Sequence, residues 1–216
     1  CCCTPESDMV IEADIDVDED FAGYPVLDFV GTVTEVRDLS PTIKGIFFEL
    51  DKAMEFQAGQ YINLNIPGVD GNRAFSIANK PSDGNSLELH VRKVPDGAGT
   101  TYLHEQLQVG DTIDVTGPYG QFFVRKSDDQ GSIFIAGGSG LSSPQSMILD
   151  MLEEGDGRKI TLLQGARNVS ELYNRELFEN LDKEFDNFTY VPALNAPEEG
   201  DDWQGFTGFV HEAALA

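Results

Sequence analysis

The sequence predicts two domains in series, a small antiparallel β-barrel or sandwich and then an α/β domain with a parallel sheet. Two observations carry this. From about Phe29 to Val124, short strand-like runs recur at close spacing between turn residues, the pattern of a small all-β domain. After Asp128-Asp129-Gln130-Gly131 strand and helix alternate instead, as βαβ units require. The 216 residues suffice for one or two domains, and a 40% hydrophobic content supplies their cores.

Taken in order, the run Met9 to Asp20 alternates apolar and acidic residues, which predicts a strand entering a charged linker. Its Asp-x-Asp-x-Asp spacing is no EF-hand loop, because Glu19 or Phe21 stands where the turn glycine is needed. Strands are predicted at Phe29 to Val36, Ile43 to Glu49, Tyr61 to Ile66, Arg73 to Ile77, Ser86 to Lys93 and Thr112 to Thr116. Pro67 to Asn72 and Ser82 to Asn85 mark turns. A short helix is predicted over Thr100 to Gln108, after Gly97-Ala98-Gly99-Thr100. The two domains join near residues 125 to 131. Ser132 to Ala136 is a continuous apolar run of the kind buried on both faces. A helix over Pro144 to Glu154 follows, with Met147, Ile148, Met151 and Leu152 on one face. A strand at Lys159 to Leu163, a helix over Ser170 to Leu181 and a strand at Phe188 to Ala193 complete the pattern.

With 38 acidic and 14 basic residues the formal net charge is −24. Such a chain repels phosphate backbones and anionic lipid unless a basic patch intervenes, and Lys and Arg are scattered singly here, so nucleic acid is not an expected partner. No apolar stretch approaches the roughly 20 residues a bilayer needs, and the start has no basic and apolar leader. No membrane association is expected, and the predicted location is cytoplasmic. All three cysteines stand at positions 1 to 3, which excludes a disulfide scaffold. His90, His104 and His211 are isolated, so no zinc spacing exists. The cysteines read either as thiols of a terminal segment or as the end of an iron–sulfur ligand set begun upstream. The chain starts without Met and ends on what reads as a helix start, Glu212 to Ala216. It is therefore expected to be part of a longer protein.

Three motifs carry chemistry. Gly137-Gly138-Ser139-Gly140-Leu141 lies between an apolar strand and a helix, where glycines let an anion approach the free N–H groups of the helix start. Its spacing is neither Gly-x-Gly-x-x-Gly nor a nucleophile elbow, and by itself such a run also serves as an ordinary tight turn. Arg73-Ala74-Phe75-Ser76 puts a guanidinium and an aromatic ring on one strand face, with the Ser76 hydroxyl at its edge. The alternative is a surface ion pair and a core ring. Gly97-Ala98-Gly99-Thr100 offers a second anion site or simply a helix cap.

In this order, followed by Gly117-Pro118-Tyr119-Gly120 and Ala136 to Met147, the motifs resemble the ferredoxin–NADP reductase superfamily. Within it they resemble most the reductase components of multicomponent phenol hydroxylases. The likeness extends to Ser40 to Gly45, Phe56 to Tyr61 and Gln164 to Asn168, and so covers nearly the whole chain.

The resemblance implies an antiparallel β-barrel that binds FAD at 26–128, then an NAD(P)-binding α/β domain at 129–216, truncated at the C-terminus. Residues 1–25 would be the remnant of a [2Fe–2S] ferredoxin domain and an acidic linker. Arg73 would hold the FAD pyrophosphate beside Ala74. Phe75, where a Tyr is commoner, would pack on the flavin, and Ser76 would serve catalysis near the flavin N5. Asn79, His90, Val91 and Arg92 would line the same groove, while Gly97, Gly99 and Thr100 would cap the phosphates. Gly137, Gly138, Ser139, Gly140 and Leu141 would take NADH or NADPH, and Arg167 and Glu171 would meet the adenosine ribose. Cys1 would be the fourth [2Fe–2S] ligand in a longer protein. The family's Cys-Gly-Pro-Pro segment and final aromatic residue are absent from this chain. The implied activity is electron transfer from NAD(P)H through FAD to a partner oxygenase, with NADH favoured. Alternatives are an NAD(P)H:flavin reductase, the reductase of another oxygenase, and an FAD-binding module without turnover.

Overall fold

A computed structural model describes residues 18–215 and Ser7 of the chain. The strand expected from Met9 and the ligand role expected of Cys1 lie outside the described residues. Six strands build the first sheet: β1 (Leu27–Ser40), β2 (Ile43–Leu50), β3 (Tyr61–Asn65), β4 (Arg73–Ser76), β5 (Ser86–Arg92) and β6 (Thr112–Tyr119), with helix α1 (Ala98–Glu105) between the last two. Their order is β4-β3-β6-β1-β2-β5 and every pairing is antiparallel. Just past β4, Ile77 bridges Leu89 of β5, so the two outer strands of the order meet at one point.

β1 outruns its expected span because it pairs on both sides, with β6 along Leu27 to Thr32 and with β2 from Gly31 to Ser40. Register shifts after Val33 and Asp38 let it bend while paired. Alternation decides what each strand buries. On β5, Leu87, Leu89 and Val91 enter the core with Ile46, Phe48, Ile62 and Leu64, each contributing about 1.5–3 kcal/mol of burial. Glu88, His90 and Arg92 occupy the opposite face of that strand.

The second sheet is parallel, in the order β10-β9-β8-β7. Its strands are β7 (Ser132–Gly137), β8 (Ile160–Ala166), β9 (Phe188–Leu194) and the short β10 (Phe206–Thr207), and its helices are α2 (Ser142–Glu153), α3 (Arg175–Glu184) and α4 (Val210–Ala213). The pairing of β7, β8 and β9 is in step, so Gly137 lies beside Gly165 and Gly165 beside Ala193 at the C-terminal ends. In an open parallel sheet that end is where ligands bind.

One expected burial and two expected helices are corrected. β7 is not covered on both faces: it is the edge strand, with Phe134 and Ala136 buried and Ile133 and Ile135 exposed. α1 begins at Ala98 and stops at Glu105. The stretch 170–181 is not one helix: a 3-10 turn at Val169–Glu171 is followed by a break and then α3. The break arises because Leu172 and Tyr173 turn into the interior and Asn174 takes a left-handed conformation, φ 56°, which Asn tolerates better than most residues. Helix propensity gives way there to two buried side chains.

α2 lies between the two sheets. Its expected apolar face is present: Met147, Ile148, Met151 and Leu152 are buried with Phe134, Ile160 and Leu162. Its first turns bury polar residues against the antiparallel sheet. Ser143 Oγ donates to Gly59 O (3.3 Å), Gln145 Nε2 to Ala78 O (3.2 Å) and Ser146 Oγ to Asn79 O (2.6 Å). Gly59, at φ 101°, must be glycine, since a Cβ there would stand 2.2 Å from Phe122 O and 2.1 Å from Met147 Cε. Arg158 ties down the connection between the sheets: Nη1 donates to Arg125 O (2.9 Å) and Asp128 O (2.5 Å), while Nε and Nη2 hold Asp156.

Candidate functional site

On β4, Arg73 faces Leu64 across the ladder and Phe75 faces Ile62, so the two share one side of the sheet as alternation predicts. Phe75 is half-buried against the core. Ser76, also half-buried, pairs with Tyr61 on the other side, and Ala74 is exposed. The exposed Arg73 guanidinium curls onto main-chain carbonyls, with Nη1 donating to Asp70 O (3.0 Å), Gly71 O (3.2 Å) and Asn72 O (3.0 Å). No ion pair among the described residues involves Arg73, so its charge is available to an anion. Its stem lies along the start of α1: a Cβ on Gly99 would meet Arg73 Cγ at 3.1 Å and Ile66 Cδ1 at 3.2 Å. A Cβ on Gly97 would come within 2.8 Å of Thr100 Oγ1, which itself accepts from Val94 N (3.1 Å) and donates to Gly97 O (3.2 Å). A cation, two glycines and the first N–H groups of an eight-residue helix thus converge. This fits the pyrophosphate of a dinucleotide.

The second glycine run closes β7 and turns through a 3-10 segment, Gly138–Leu141, into α2. Gly138 has φ 55°, and a Cβ on Gly137 would lie 3.3 Å from Gly165 O. The run walls a cavity of about 320 Å³ at the C-terminal end of the sheet, which Arg92, Gly165, Arg167, Glu171, Phe209 and Val210 also line. Val210 of α4 covers Gly165 so closely that a Cβ there would meet it at 2.8 Å. Arg167 is paired to Glu171: Nε donates to Oε2 at 3.0 Å, and Nη2 bonds Oε1. The guanidinium holds the Glu171 carboxyl below its usual range. The donors and shape of this cavity fit a dinucleotide with a carboxylate at its sugar.

The expected lining by Asn79 and the run His90-Val91-Arg92 is spread over four environments. Val91 is wholly buried in the core. Asn79 is spent on main chain, accepting from Glu88 N (2.9 Å) and donating to Ser86 O (2.9 Å). Arg92 reaches the cavity at the C-terminal end of the parallel sheet, where its Nη1 would stand 3.6 Å from a Gly138 Cβ. His90 is buried between the sheets, its Nε2 at 2.8 Å from Glu88 Oε1 and its Nδ1 at 3.1 Å from Tyr173 Oη. The phenol of Tyr173 donates to Gly138 O (3.0 Å), and burial pushes its pKa up. Around this chain Gln145, Asn174, Gln164 and Tyr190 hydrogen-bond in turn: Asn174 Nδ2 to Gln145 Oε1 (2.7 Å), Gln164 Nε2 to Tyr173 O (2.9 Å), Tyr190 Oη to Gln164 Oε1 (2.6 Å). Sequence reasoning missed Glu88, Gln145, Tyr173 and Gln164 as partners here. The one signal was the polar run Ser142-Ser143-Pro144-Gln145-Ser146 at the start of a helix bound for the interior. Among the described residues no group of His, Cys, Asp and Glu could hold a metal ion, and no helix is long and apolar enough to cross a membrane.

An antiparallel sheet with one candidate anion site, docked on a parallel sheet with a second, is the arrangement of a two-domain oxidoreductase of the flavin and nicotinamide kind. Comparison with known proteins specifies it. Residues 31–124 match the oxidoreductase FAD-binding domain and 134–216 the oxidoreductase NAD-binding domain. The chain is 68% identical over 213 residues to the phenol hydroxylase P5 protein of Acinetobacter pittii (strain PHEA-2), covering 99% of this chain and 60% of that protein. It is 62% identical over 216 residues to the reductase component of phenol 2-monooxygenase from Pseudomonas sp. (strain CF600), covering 100% and 61%. Among solved structures, the Amycolatopsis cytochrome P450 reductase GcoB superposes with a TM-score of 0.81 at 31% identity, covering 88% of this chain and 58% of that one. A ferredoxin reductase in carbazole 1,9a-dioxygenase gives 0.78 at 26% identity, covering 89% and 57%. The chain is made of oxidoreductase FAD- and NAD-binding domains that match those of phenol hydroxylase reductase components. It spans about 60% of the length of the curated relatives it matches.

Proposed function

We propose that this chain is the flavin and nicotinamide part of a reductase that takes electrons from NADH and delivers them to the oxygenase component of a multicomponent monooxygenase of phenols or related aromatics. The observation that carries this reading is the docking of two anion sites across one buried interface, the Arg73–Gly99 site on one sheet and the Gly137–Gly138 cavity on the other. The names of the relatives, phenol hydroxylase and phenol 2-monooxygenase components, supply the oxygenase. FAD, when bound, supplies the conversion of a two-electron input into one-electron output.

In this reading the first domain runs over 26–128 and its sheet closes as a barrel through the Ile77–Leu89 bridge. Arg73 holds the pyrophosphate, with Gly97, Gly99 and Thr100 giving main-chain N–H groups and room. Phe75 offers its accessible ring edge, Ala74 leaves space for the flavin, and the Ser76 hydroxyl stands at the flavin N5. Asn79 acts on this groove by shaping the turn after β4. The second domain runs over 129–216, and its Gly137 to Leu141 segment orients the nicotinamide dinucleotide. Its Arg167 and Glu171 read the adenosine sugar. Because Glu171 already engages Arg167 through two hydrogen bonds, the pair presents a carboxylate to ribose hydroxyls and leaves little free cation for a 2′-phosphate. NADH is therefore the preferred donor. Residues 1–25 are the remnant of a ferredoxin-type domain and an acidic linker, with Cys1 as the last [2Fe–2S] ligand in a longer protein.

The test is anaerobic addition of NADH to the FAD-loaded protein followed by visible absorbance. Loss of the flavin bands near stoichiometric NADH, and weaker loss with NADPH, is expected. A yellow protein unbleached by either nicotinamide would leave a flavin-binding module and remove the reductase reading.

A further inference from the structure

The chain of contacts from Glu88 through His90 and Tyr173 to Gly138 crosses from one sheet to the other, and it ends on the glycine loop. Three hydrogen bonds in series need three protons. A carbonyl only accepts, so the phenol proton of Tyr173 goes to Gly138 O (3.0 Å). Tyr173 Oη is then free to accept, and the 3.1 Å contact to His90 requires a proton on Nδ1. The 2.8 Å contact between His90 Nε2 and Glu88 Oε1 needs a further proton, carried by either atom. The intact chain therefore holds one proton more than a carboxylate beside a neutral imidazole.

We infer that His90 and Tyr173 are positioning residues for the dinucleotide loop, and that the Glu88–His90 pair must hold this extra proton for Tyr173 to grip the Gly138 carbonyl. The inference rests on the reading of Gly137 to Leu141 as the nicotinamide loop. When the proton leaves to solvent, the remaining imidazole proton stays on Nε2, facing a carboxylate that can only accept. Nδ1 becomes an acceptor, the phenol turns to it, and Gly138 O loses its partner. Gly138 is at φ 55° beside the cavity, so a released carbonyl lets the Gly138–Ser139 peptide reorient where the dinucleotide would sit.

The surroundings bear on that proton from every side. From β5 the charged neighbours are Glu88, bonded to His90, and Arg92, whose Nη1 approaches Gly138. From α2 the neighbour is Gln145, neutral, with Nε2 at 3.4 Å from Glu88 Oε1. On β2 the residue opposite His90 is Gly45. Beyond Arg92, Glu171 is engaged with Arg167. Burial keeps the Tyr173 phenol protonated throughout.

The test uses 13C,15N-labelled FAD-loaded protein. Only three histidines give ring signals, so the His90 ring nitrogens are assignable against His104 and His211. Nuclear magnetic resonance across about pH 5.5 to 9 reads the His90 tautomer and the Gly138 carbonyl shift, and calorimetry reads NAD+ affinity. In the parent protein the His90 Nδ1 proton, the Gly138 shift and NAD+ affinity should all change together as pH rises. Tyr173→Phe should weaken NAD+ binding by about threefold to tenfold at the low end, the worth of one hydrogen bond, and flatten the profile. Glu88→Gln, whose amide donates to His90 Nε2 without titrating, should keep binding tight and flat. If Tyr173→Phe does not fold, Glu88→Gln still decides, because a sloping profile there overturns the inference. A bare His90 Nδ1 where the Gly138 shift reports a bonded carbonyl overturns it too. Should no nicotinamide bind at any pH, the proposed function fails, while the coupled His90 and Gly138 shifts still judge the relay.

Discussion

Glu171 is the residue whose chemistry most directly separates two outcomes. Its carboxyl sits below its usual range because the Arg167 guanidinium bonds it, and both line the cavity at the end of the parallel sheet. Replacing it by Gln removes the charge, keeps the shape and frees Arg167 to meet a 2′-phosphate. A hydrogen bond to a charged group contributes about 1.5–3 kcal/mol, which is tenfold or more in affinity. Glu171→Gln should therefore raise the KM for NADH and lower that for NADPH, moving their ratio by about tenfold. Steady-state kinetics with both donors checks this, and an unmoved ratio would show that the sugar is read elsewhere. At this scale the sequence was partly legible. Arg73 beside Gly99, and Gly137 beside the cavity, were visible as motifs because glycine is needed where backbone approaches backbone or ligand. His90 and Tyr173 were not, since 83 positions separate them and no local pattern says that a strand and a loop will meet.

The elements followed their periods where one face was apolar and departed from them where a buried polar contact intervened. β2, β5 and β9 lie close to their expected ranges because period-two alternation fixes both length and face. β7 keeps its expected range and loses one expected face, because it is the edge strand and Ile133 and Ile135 point away from the core. The segment 170–181 read as a helix, yet Leu172 and Tyr173 are pulled inward and split it. α2 shows both rules in one helix, apolar toward its own sheet and polar toward the other. Its Asp150 makes the element testable. Burial, with Glu154 nearby, raises this carboxyl above its usual value despite Lys126 at 3.9 Å. A carboxyl raised in the folded state binds protons more readily folded than unfolded. Its contribution is therefore favourable below the unfolded pKa and is lost as pH rises through the folded one. At neutral pH the charge is a burden, and Asp150→Asn should raise the melting temperature by about 1–2 °C. The gain should vanish in acid, where both forms are neutral. Thermal melts at about pH 7 and about pH 3 check this, and a loss of stability at neutral pH would mean that Lys126 outweighs burial.

For the whole molecule the governing quantity is the net charge of −24. Two effects of salt oppose each other. Ion pairs such as Lys126 with Glu154 and Lys93 with Glu105 weaken when screened, but exposed pairs contribute only about 0–1 kcal/mol each. Repulsion among 38 acidic residues facing 14 basic ones acts over the entire surface, and at low ionic strength it reaches across the molecule, because the screening length is about 30 Å at 0.01 M and about 3 Å at 1 M. The unfolded chain spreads the same charges further apart, so repulsion counts against the folded state. The hydrogen bonds from Ser143, Gln145 and Ser146 to main-chain carbonyls across the interface are exempt, since they join uncharged groups, while the Lys80–Glu153 pair beside them is screened like the others. Raising sodium chloride from about 0.01 M to about 1 M should therefore raise the melting temperature by several degrees without changing the cooperativity of the transition. Potassium chloride, which screens equally, should do the same. Calorimetry in both salts checks the argument, and a melting temperature that falls as salt rises would place the stabilising role with the ion pairs instead of the core and the neutral hydrogen bonds across the interface.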